Sequence, residues 1–313
     1  MPVNASDALS LAGRDLISVR DFTRDELIAF LDEAVEFEYY TQPILQGQIM
    51  GSLFFEPSTR TNLSFSSAMQ RLGGSVLGFA DANVSSTAKG ESLADTVRVV
   101  ENYCDIILIR HPFEGAARLA SESTRLPVIN AGDGTNQHPT QTLLDMYTIR
   151  QKRNRLEGLK IAFIGDLKYS RTVHSLIETL SHFDNELYLI SPTSLRTPPD
   201  FLEELDASGT VYHEDEDFFS LGADVDVLYT TRIQEERFPD VVEYEKVKNA
   251  YRIDREAIRR IGSDVTLMHP LPRLNEISTD LDDYPGSAYF DQAKNGVTVR
   301  KAILSLLLGV SRD

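Results

Sequence analysis

Cysteine occurs once in the 313 residues, at Cys104, so no intrachain disulfide can form and no CxxC ligand pair for a metal exists. Placed at the head of an apolar run, Cys104 reads as a small buried side chain without a redox role. No run approaches the roughly 18 apolar residues of a membrane span, and no apolar leader follows Met1, so the expectation is a cytoplasmic chain without membrane contact. Lysine is scarce, 8 of 31 basic residues, and positive charge is in deficit, with a net charge of −17. That deficit excludes nucleic acid as a partner and repels anionic metabolites in general, so any anion site must be built from local arginine. His174, His182 and His213 have no cysteine or carboxylate at ligand spacing, so no metal and no cofactor is expected. No Ser-His-Asp order, activated cysteine or Schiff-base lysine stands out. Direct transfer in a ternary complex is therefore favoured over a covalent enzyme intermediate.

What is present is an ordinary globular composition, 42% hydrophobic and 25% charged, with length for two α/β domains. The chain is organised around residues 50–74, MGSLFFEPSTRTNLSFSSAMQRLGG. Residues 51–55 are a short apolar run, and Phe65, Ala68, Met69 and Leu72 recur at i, i+3, i+4 and i+7. The pattern predicts a strand and then a helix capped by Ser58 or Thr59 and stopped by Gly73-Gly74. Between them, Ser58, Thr59, Arg60 and Thr61 crowd hydroxyls and a guanidinium onto one helix N-terminus. A lone Ser-Thr pair would only cap the helix. Four such residues, added to free backbone N–H groups and the positive end of the helix dipole, suit a dianionic phosphoryl group.

Along the rest of the chain, Thr23 with Glu26 forms a capping box at the head of a helix over 23–40. A second strand is expected at 75–80, then a polar loop over 81–90 that contains Lys89, then a helix over 91–103. The apolar run 104–109 reads as a parallel strand that ends in Arg110-His111, where an open α/β sheet binds its ligands. His111 reads as bonded to backbone. The strand 126–130 leads to His138-Pro139-Thr140-Gln141, with Pro139 at the first position of a helix. The charged stretch 151–160 marks the domain boundary. Beyond it strands are expected at 161–165, 187–190, 225–230 and 265–268, the alternation of a parallel sheet. After the first of these stands Gly165-Asp166-Leu167-Lys168-Tyr169-Ser170-Arg171 and not GxGxxG, which argues against a dinucleotide site. The acidic run 214–217 reads as a solvated turn, and 297–310 as an apolar helix. Arg60, Arg110, Arg171 and Arg232 all fall beside strand ends, so the ligands should carry several negative charges: one phosphoryl and two carboxylates would suit them.

The stretch Phe55-Glu56-Pro57-Ser58-Thr59-Arg60-Thr61 resembles the carbamoyl-phosphate motif of the aspartate and ornithine carbamoyltransferases. His138 to Gln141, Gly165 to Thr172, Thr231-Arg232-Ile233-Gln234 and His269-Pro270-Leu271-Pro272-Arg273 resemble the family's later motifs in their expected order. The ornithine branch has Cys-Leu-Pro where this chain has His269-Pro270-Leu271-Pro272, and a cationic amino acid would not need Arg232 beside Arg171, so the aspartate branch is favoured. The resemblance implies two Rossmann-like domains, each a parallel sheet flanked by helices: 1–150 with 294–313 for carbamoyl phosphate, and 151–293 for L-aspartate. It implies that Ser58, Thr59, Arg60, Thr61 and Arg110 hold the phosphate, while Thr61, Arg110 and His138 meet the carbonyl oxygen. Gln141 and the Pro270 and Leu271 carbonyls would hold the carbamoyl amide, and Arg171, Arg232 and Gln234 the aspartate carboxylates. It further implies a homotrimer, in some members joined to regulatory chains, in which Ser85 and Lys89 reach a neighbouring subunit's site, with Lys89 also on aspartate. A second lysine usual in that loop is Ala88 here, which lowers the loop's charge.

Overall fold

The computed structural model describes residues 11–80, 90–221, 225–233, 238, 240–248, 250–262 and 264–312. The chain divides into two compact units, Met1–Tyr147 with Lys294–Asp313, and Thr148–Ala293. Each unit is built on one sheet whose described strands all pair in parallel, with helices between them.

The first unit begins with α1 (Arg24–Glu36), where the Thr23 hydroxyl accepts the Glu26 N–H and the Glu26 carboxylate accepts the Thr23 N–H at 2.8 Å, the reciprocal cap that Thr23 and Glu26 predict. There follow β1 (Ile49–Phe54), α2 (Thr59–Arg71), β2 (Ser75–Phe79), α3 (Leu93–Val100), β3 (Ile106–His111), α4 (Ala116–Glu122) and β4 (Val128–Asp133). Their sheet order is β2-β1-β3-β4. Ser58 is the N-cap of α2. The double glycine closes that helix in a Schellman turn: Gly74 N–H donates to Met69 O at 3.0 Å and Gly73 N–H to Gln70 O at 3.0 Å, with Gly73 at φ +84°, where a side chain would be strained. Cys104 lies just before β3, buried, and desolvation pushes its thiol up to about 11. Its Sγ is where a Cβ on Gly51 would sit, 2.9 Å away, which is why β1 carries glycine there.

The second unit contains β5 (Lys160–Ile164), α6 (Arg171–Leu180), β6 (Glu186–Ile190), α7 (Pro199–Ser208), β7 (Val211–Asp215), β8 (Val227–Thr230), α8 (Val241–Val247), α9 (Arg255–Ile261) and β9 (Thr266–Met268). The order is β7-β6-β5-β8-β9, with Ile164, Leu228 and Leu267 packed against Ile258 and Ile261. β7 corrects the sequence reading. Glu214 and Asp215 are not a turn; they pair with Leu189 and Ile190 at the edge of the sheet. An edge strand with largely exposed side chains needs no apolar run, and charges there discourage pairing with another chain.

The chain crosses between the units inside two helices, α5 (Pro139–Arg153) and α10 (Tyr289–Leu308). The tail belongs to the first unit: Lys301 Nζ donates to the Phe37 and Tyr40 carbonyls at 3.3 and 2.9 Å, and Arg312 pairs with Glu33 and Glu36. Among the described residues no helix is long and apolar enough to cross a membrane.

Candidate active site

In the first unit β1, β3 and β4 are neighbours, and each ends in a candidate residue. After β1 the chain turns through Glu56 into α2. The Ser58 side chain makes no capping bond, so its hydroxyl sits at the helix start without being used on the helix. Thr61, one turn in, is buried, and the Ser64 hydroxyl donates back to Arg60 O at 2.5 Å. Four backbone N–H groups at such a start have no partner within the helix, an arrangement suited to an anion.

Arg110 is the fifth residue of β3, opposite Phe54 in register. Its guanidinium donates to Ala131 O of β4 at 3.0 Å and pairs with the Glu56 carboxylate at 2.6 Å. One side chain thus ties together the ends of all three strands. Glu56, which the sequence offers only as part of its motif, is the internal counter-charge of Arg110. A glutamate two residues past the end of β1, just before the Ser58–Thr61 helix start, is the available signal. His111 bonds to backbone as expected: Nδ1 accepts the Phe113 N–H at 3.0 Å, and burial lowers its pKa against the pull of Glu56 and Asp133.

After β4 the loop to His138 is shaped by the buried carboxylate of Asp133. Its Oδ1 accepts Asn130 Nδ2 at 2.9 Å and Gln137 N–H at 3.2 Å, and its Oδ2 accepts Gly115 N–H at 2.9 Å and Asn136 Nδ2 at 3.2 Å. His138 follows, 5% exposed, with Thr140 Oγ1 at 3.4 Å from Nδ1, and Pro139 opens α5. Gln141 lies in the first turn of that helix and donates Nε2–H to Asp145 Oδ1 at 2.9 Å.

In the second unit β5, β8 and β9 likewise end side by side. Gly165 sits at φ +125° with Thr231 O where its Cβ would be, 2.3 Å away, so the loops leaving β5 and β8 approach too closely for any side chain there. Ser170 Oγ lies 3.5 Å from Thr231 Oγ1, which sets Arg171, first residue of α6, and Arg232 on adjacent segments. Asp166 Oδ1 shapes the first loop by accepting the Lys168 and Tyr169 N–H groups at 3.1 and 2.9 Å. Beyond β9, His269 is 1% exposed; Nδ1 accepts the Leu271 N–H at 2.8 Å, so the proton sits on Nε2 and is donated to Glu276 at 2.8 Å. Burial pulls the Glu276 carboxyl up, but the hydrogen bonds from His269 and from backbone N–H groups outweigh it, and the pKa lies below its ordinary value. This pair shapes the segment carrying Pro270 and Leu271 and was not anticipated. Ser85, Lys89 and Gln234 lie outside the described residues. Among the described residues no group of three or more His, Cys, Asp or Glu side chains could hold a metal ion.

Residues 14–151 match the family described as aspartate/ornithine carbamoyltransferase, carbamoyl-P binding domain, and residues 157–307 its Asp/Orn binding domain. The aspartate carbamoyltransferase catalytic subunit of Methanopyrus kandleri is 55% identical over 96% of this chain and 99% of its own. The catalytic subunit of Methanocaldococcus jannaschii aspartate transcarbamoylase superposes with TM-score 0.88 at 52% identity, covering 95% of this chain and 98% of that one. The aspartate transcarbamoylase of Trypanosoma cruzi in complex with carbamoyl phosphate and aspartate gives TM-score 0.91 at 39% identity, over 96% and 98% of the two chains. With both halves matched and identity above half along nearly the whole length, the chain belongs to the aspartate/ornithine carbamoyltransferase family, on the side of the aspartate carbamoyltransferase catalytic subunits.

Proposed function

We propose that the protein transfers the carbamoyl group of carbamoyl phosphate to the α-amine of L-aspartate, giving N-carbamoyl-L-aspartate and phosphate. The observation that carries the reading is Arg110, seated at the end of an inner strand between the Glu56 carboxylate and the Ala131 carbonyl, on the sheet edge where α2 begins. A part-buried arginine with its own counter-charge is poised to exchange that carboxylate for a phosphoryl dianion. Ser58, Thr59, Arg60 and Thr61 complete the phosphate site. Thr61, Arg110 and His138 donate to the carbonyl oxygen. Gln141 and the Pro270 and Leu271 carbonyls take the carbamoyl amine, and Arg171, Arg232 and Gln234 take the aspartate carboxylates.

The neutral amine attacks the carbonyl carbon, a C–N bond forms, and the carbonyl oxygen becomes an oxyanion. Its collapse breaks the bond to the phosphate oxygen, and the departing phosphate carries away the amine's proton. No bond to the enzyme forms. Rate enhancement then comes from orientation and from donors aimed at the oxyanion. The reading includes cytoplasmic homotrimers in which Ser85 and Lys89 serve a neighbour's site, a form open to regulatory chains.

The test is production of carbamoyl-aspartate by purified protein from the two substrates, with ornithine as the alternative acceptor. Product with ornithine and none with aspartate would overturn the reading. For the shared site, Lys89→Ala and His138→Ala trimers are dissociated, mixed equally and reassembled: each mixed ring regains one native site in three, so about a quarter of wild-type activity returns. No recovery in verified hybrids would confine Lys89 to its own subunit.

A further inference from the structure

We propose that Asp145 is a positioning residue that locks the Gln141 amide in one orientation and so makes the site select a carbamoyl donor over its methyl isostere, acetyl phosphate. The inference deepens the reading above and rests on it.

Gln141 and Asp145 stand one turn apart on α5, at the i, i+4 spacing that brings side chains into contact. Nε2 of Gln141 lies 2.9 Å from Oδ1 of Asp145, and Asp145 is fully buried. An ionised carboxylate offers only acceptors, whereas the glutamine amide has a donor end and an acceptor end. Turning the amide over would set its oxygen against a carboxylate oxygen in a water-poor interior, where facing lone pairs are strongly unfavourable. Oε1 is therefore held on the side away from Asp145. An acceptor fixed there suits an –NH2 group, which donates, and is left unsatisfied by a methyl group of the same size.

A buried carboxylate is favoured by positive charge nearby, and the field of Arg300 on α10 is felt by Asp145. Arg300 is 3% exposed, its guanidinium lies 4.9 Å over the Phe65 ring, and its electrostatic partner is Asp145. Burial lowers its pKa to about 10, against the pull of Asp145, and leaves it charged at neutral pH. The surrounding helix makes room for it. A glycine inside a helix costs about 1 kcal/mol relative to alanine, yet Gly296 stands in the middle of α10, and a Cβ on it would lie 2.2 Å from Arg300 Nη1. That glycine is explained by the guanidinium it admits.

The experiment uses the full chain and three ligands: the KM for carbamoyl phosphate, the inhibition constant of acetyl phosphate and the calorimetric Kd of inorganic phosphate. In Asp145→Asn the neighbour can donate as well as accept, so the Gln141 amide is free to turn. The expected result is an about tenfold loss of preference for carbamoyl over acetyl phosphate, the usual worth of one discriminating hydrogen bond, with inorganic phosphate affinity within about twofold of wild type. If Asp145→Asn does not fold, the pair Asp145→Leu with Arg300→Met removes both buried charges together, so that neither is left uncompensated, and the same loss of preference is expected. Unchanged preference in a folded variant overturns the proposal, as does equal weakening of all three ligands, which marks a merely structural role. Failure of the functional reading is seen separately, as wild-type protein that forms no carbamoyl-aspartate.

Discussion

The two units present their candidate residues from the same place, the carboxyl ends of adjacent parallel strands, but they hold them differently. In the first unit most candidates sit on regular elements, Arg110 within β3, Thr61 in the first turn of α2 and Gln141 in the first turn of α5, while His138 ends a loop shaped by Asp133. In the second unit the candidates stand on or beside loops whose shape is set by carboxylates bonded to backbone N–H groups, the buried Asp166 for the loop after β5 and the part-buried Glu276 for that after β9. A site placed on helices and strands inherits its precision from the sheet. One placed on loops depends on the residues beneath it, which never touch a ligand.

The contrast makes the first unit most sensitive to direct loss of a ligand group. Arg110→Ala removes the tie among three strand ends and leaves Glu56 without its partner, at a cost of about 2–5 kcal/mol, expected mainly in carbamoyl-phosphate binding measured by calorimetry. Restoration of much of that affinity by adding Glu56→Gln would show the stranded carboxylate to be part of the cost; no loss in Arg110→Ala would remove Arg110 from the site. His138→Ala comes next. With its loop still held by Asp133, it should lower kcat by about 10²–10³ and leave phosphate affinity intact, as for one lost oxyanion donor. A trapped covalent histidine adduct would contradict direct transfer.

These first-unit residues were legible because their elements announce themselves: the apolar run at β3 stops at Arg110, Pro139 marks a helix start next to His138, and Gly73-Gly74 closes α2 by a recognisable turn. β7 was not legible, since an edge strand of exposed polar residues has no hydrophobic period. Glu56, Asp145 and the His269–Glu276 pair escaped for another reason. Their meaning lies in which group they touch, and sequence spacing does not tell whether a carboxylate meets a guanidinium, an amide or solvent.

In the second unit a change beneath the loop should be felt at the site. Glu276 accepts from His269 Nε2 at 2.8 Å, from Leu274 N–H at 3.1 Å and from Asn275 N–H at 3.0 Å. Glu276→Gln replaces one of two accepting oxygens by a donor that faces backbone donors. The expected loss is about 1–3 kcal/mol of stability, read from urea unfolding, together with a weaker kcat/KM for carbamoyl phosphate through the displaced Pro270 and Leu271. An equal stability loss with unchanged kinetics would mean that this loop does not position substrate.

The smallest effect is a pH dependence that separates the same carboxylate from its exposed neighbours. The folded-state pKa of Glu276 lies below its ordinary 4.5, because desolvation, which raises it, is outweighed by the hydrogen bonds from His269 and the Leu274 N–H. A depressed carboxyl contributes stability that is fully present above its unfolded pKa and lost as pH falls through the folded one. The stability gap between wild type and Glu276→Gln should therefore hold from pH 7 to about 5 and narrow below about 4.5 as the unfolded chain and then the folded protein take up the proton. Asp282 provides the contrast, since hydrogen bonds from Arg273 and then Tyr289 hold it down to about 2, so its pairing persists at pH 4. That pair lies near solvent and is screened by salt, whereas the effect of the part-buried Glu276, which rests on hydrogen bonds, should survive added salt. A gap that stays constant down to pH 4, or one that vanishes in high salt at pH 7, would place Glu276 among ordinary surface carboxylates and end the distinction drawn for the second unit's loops.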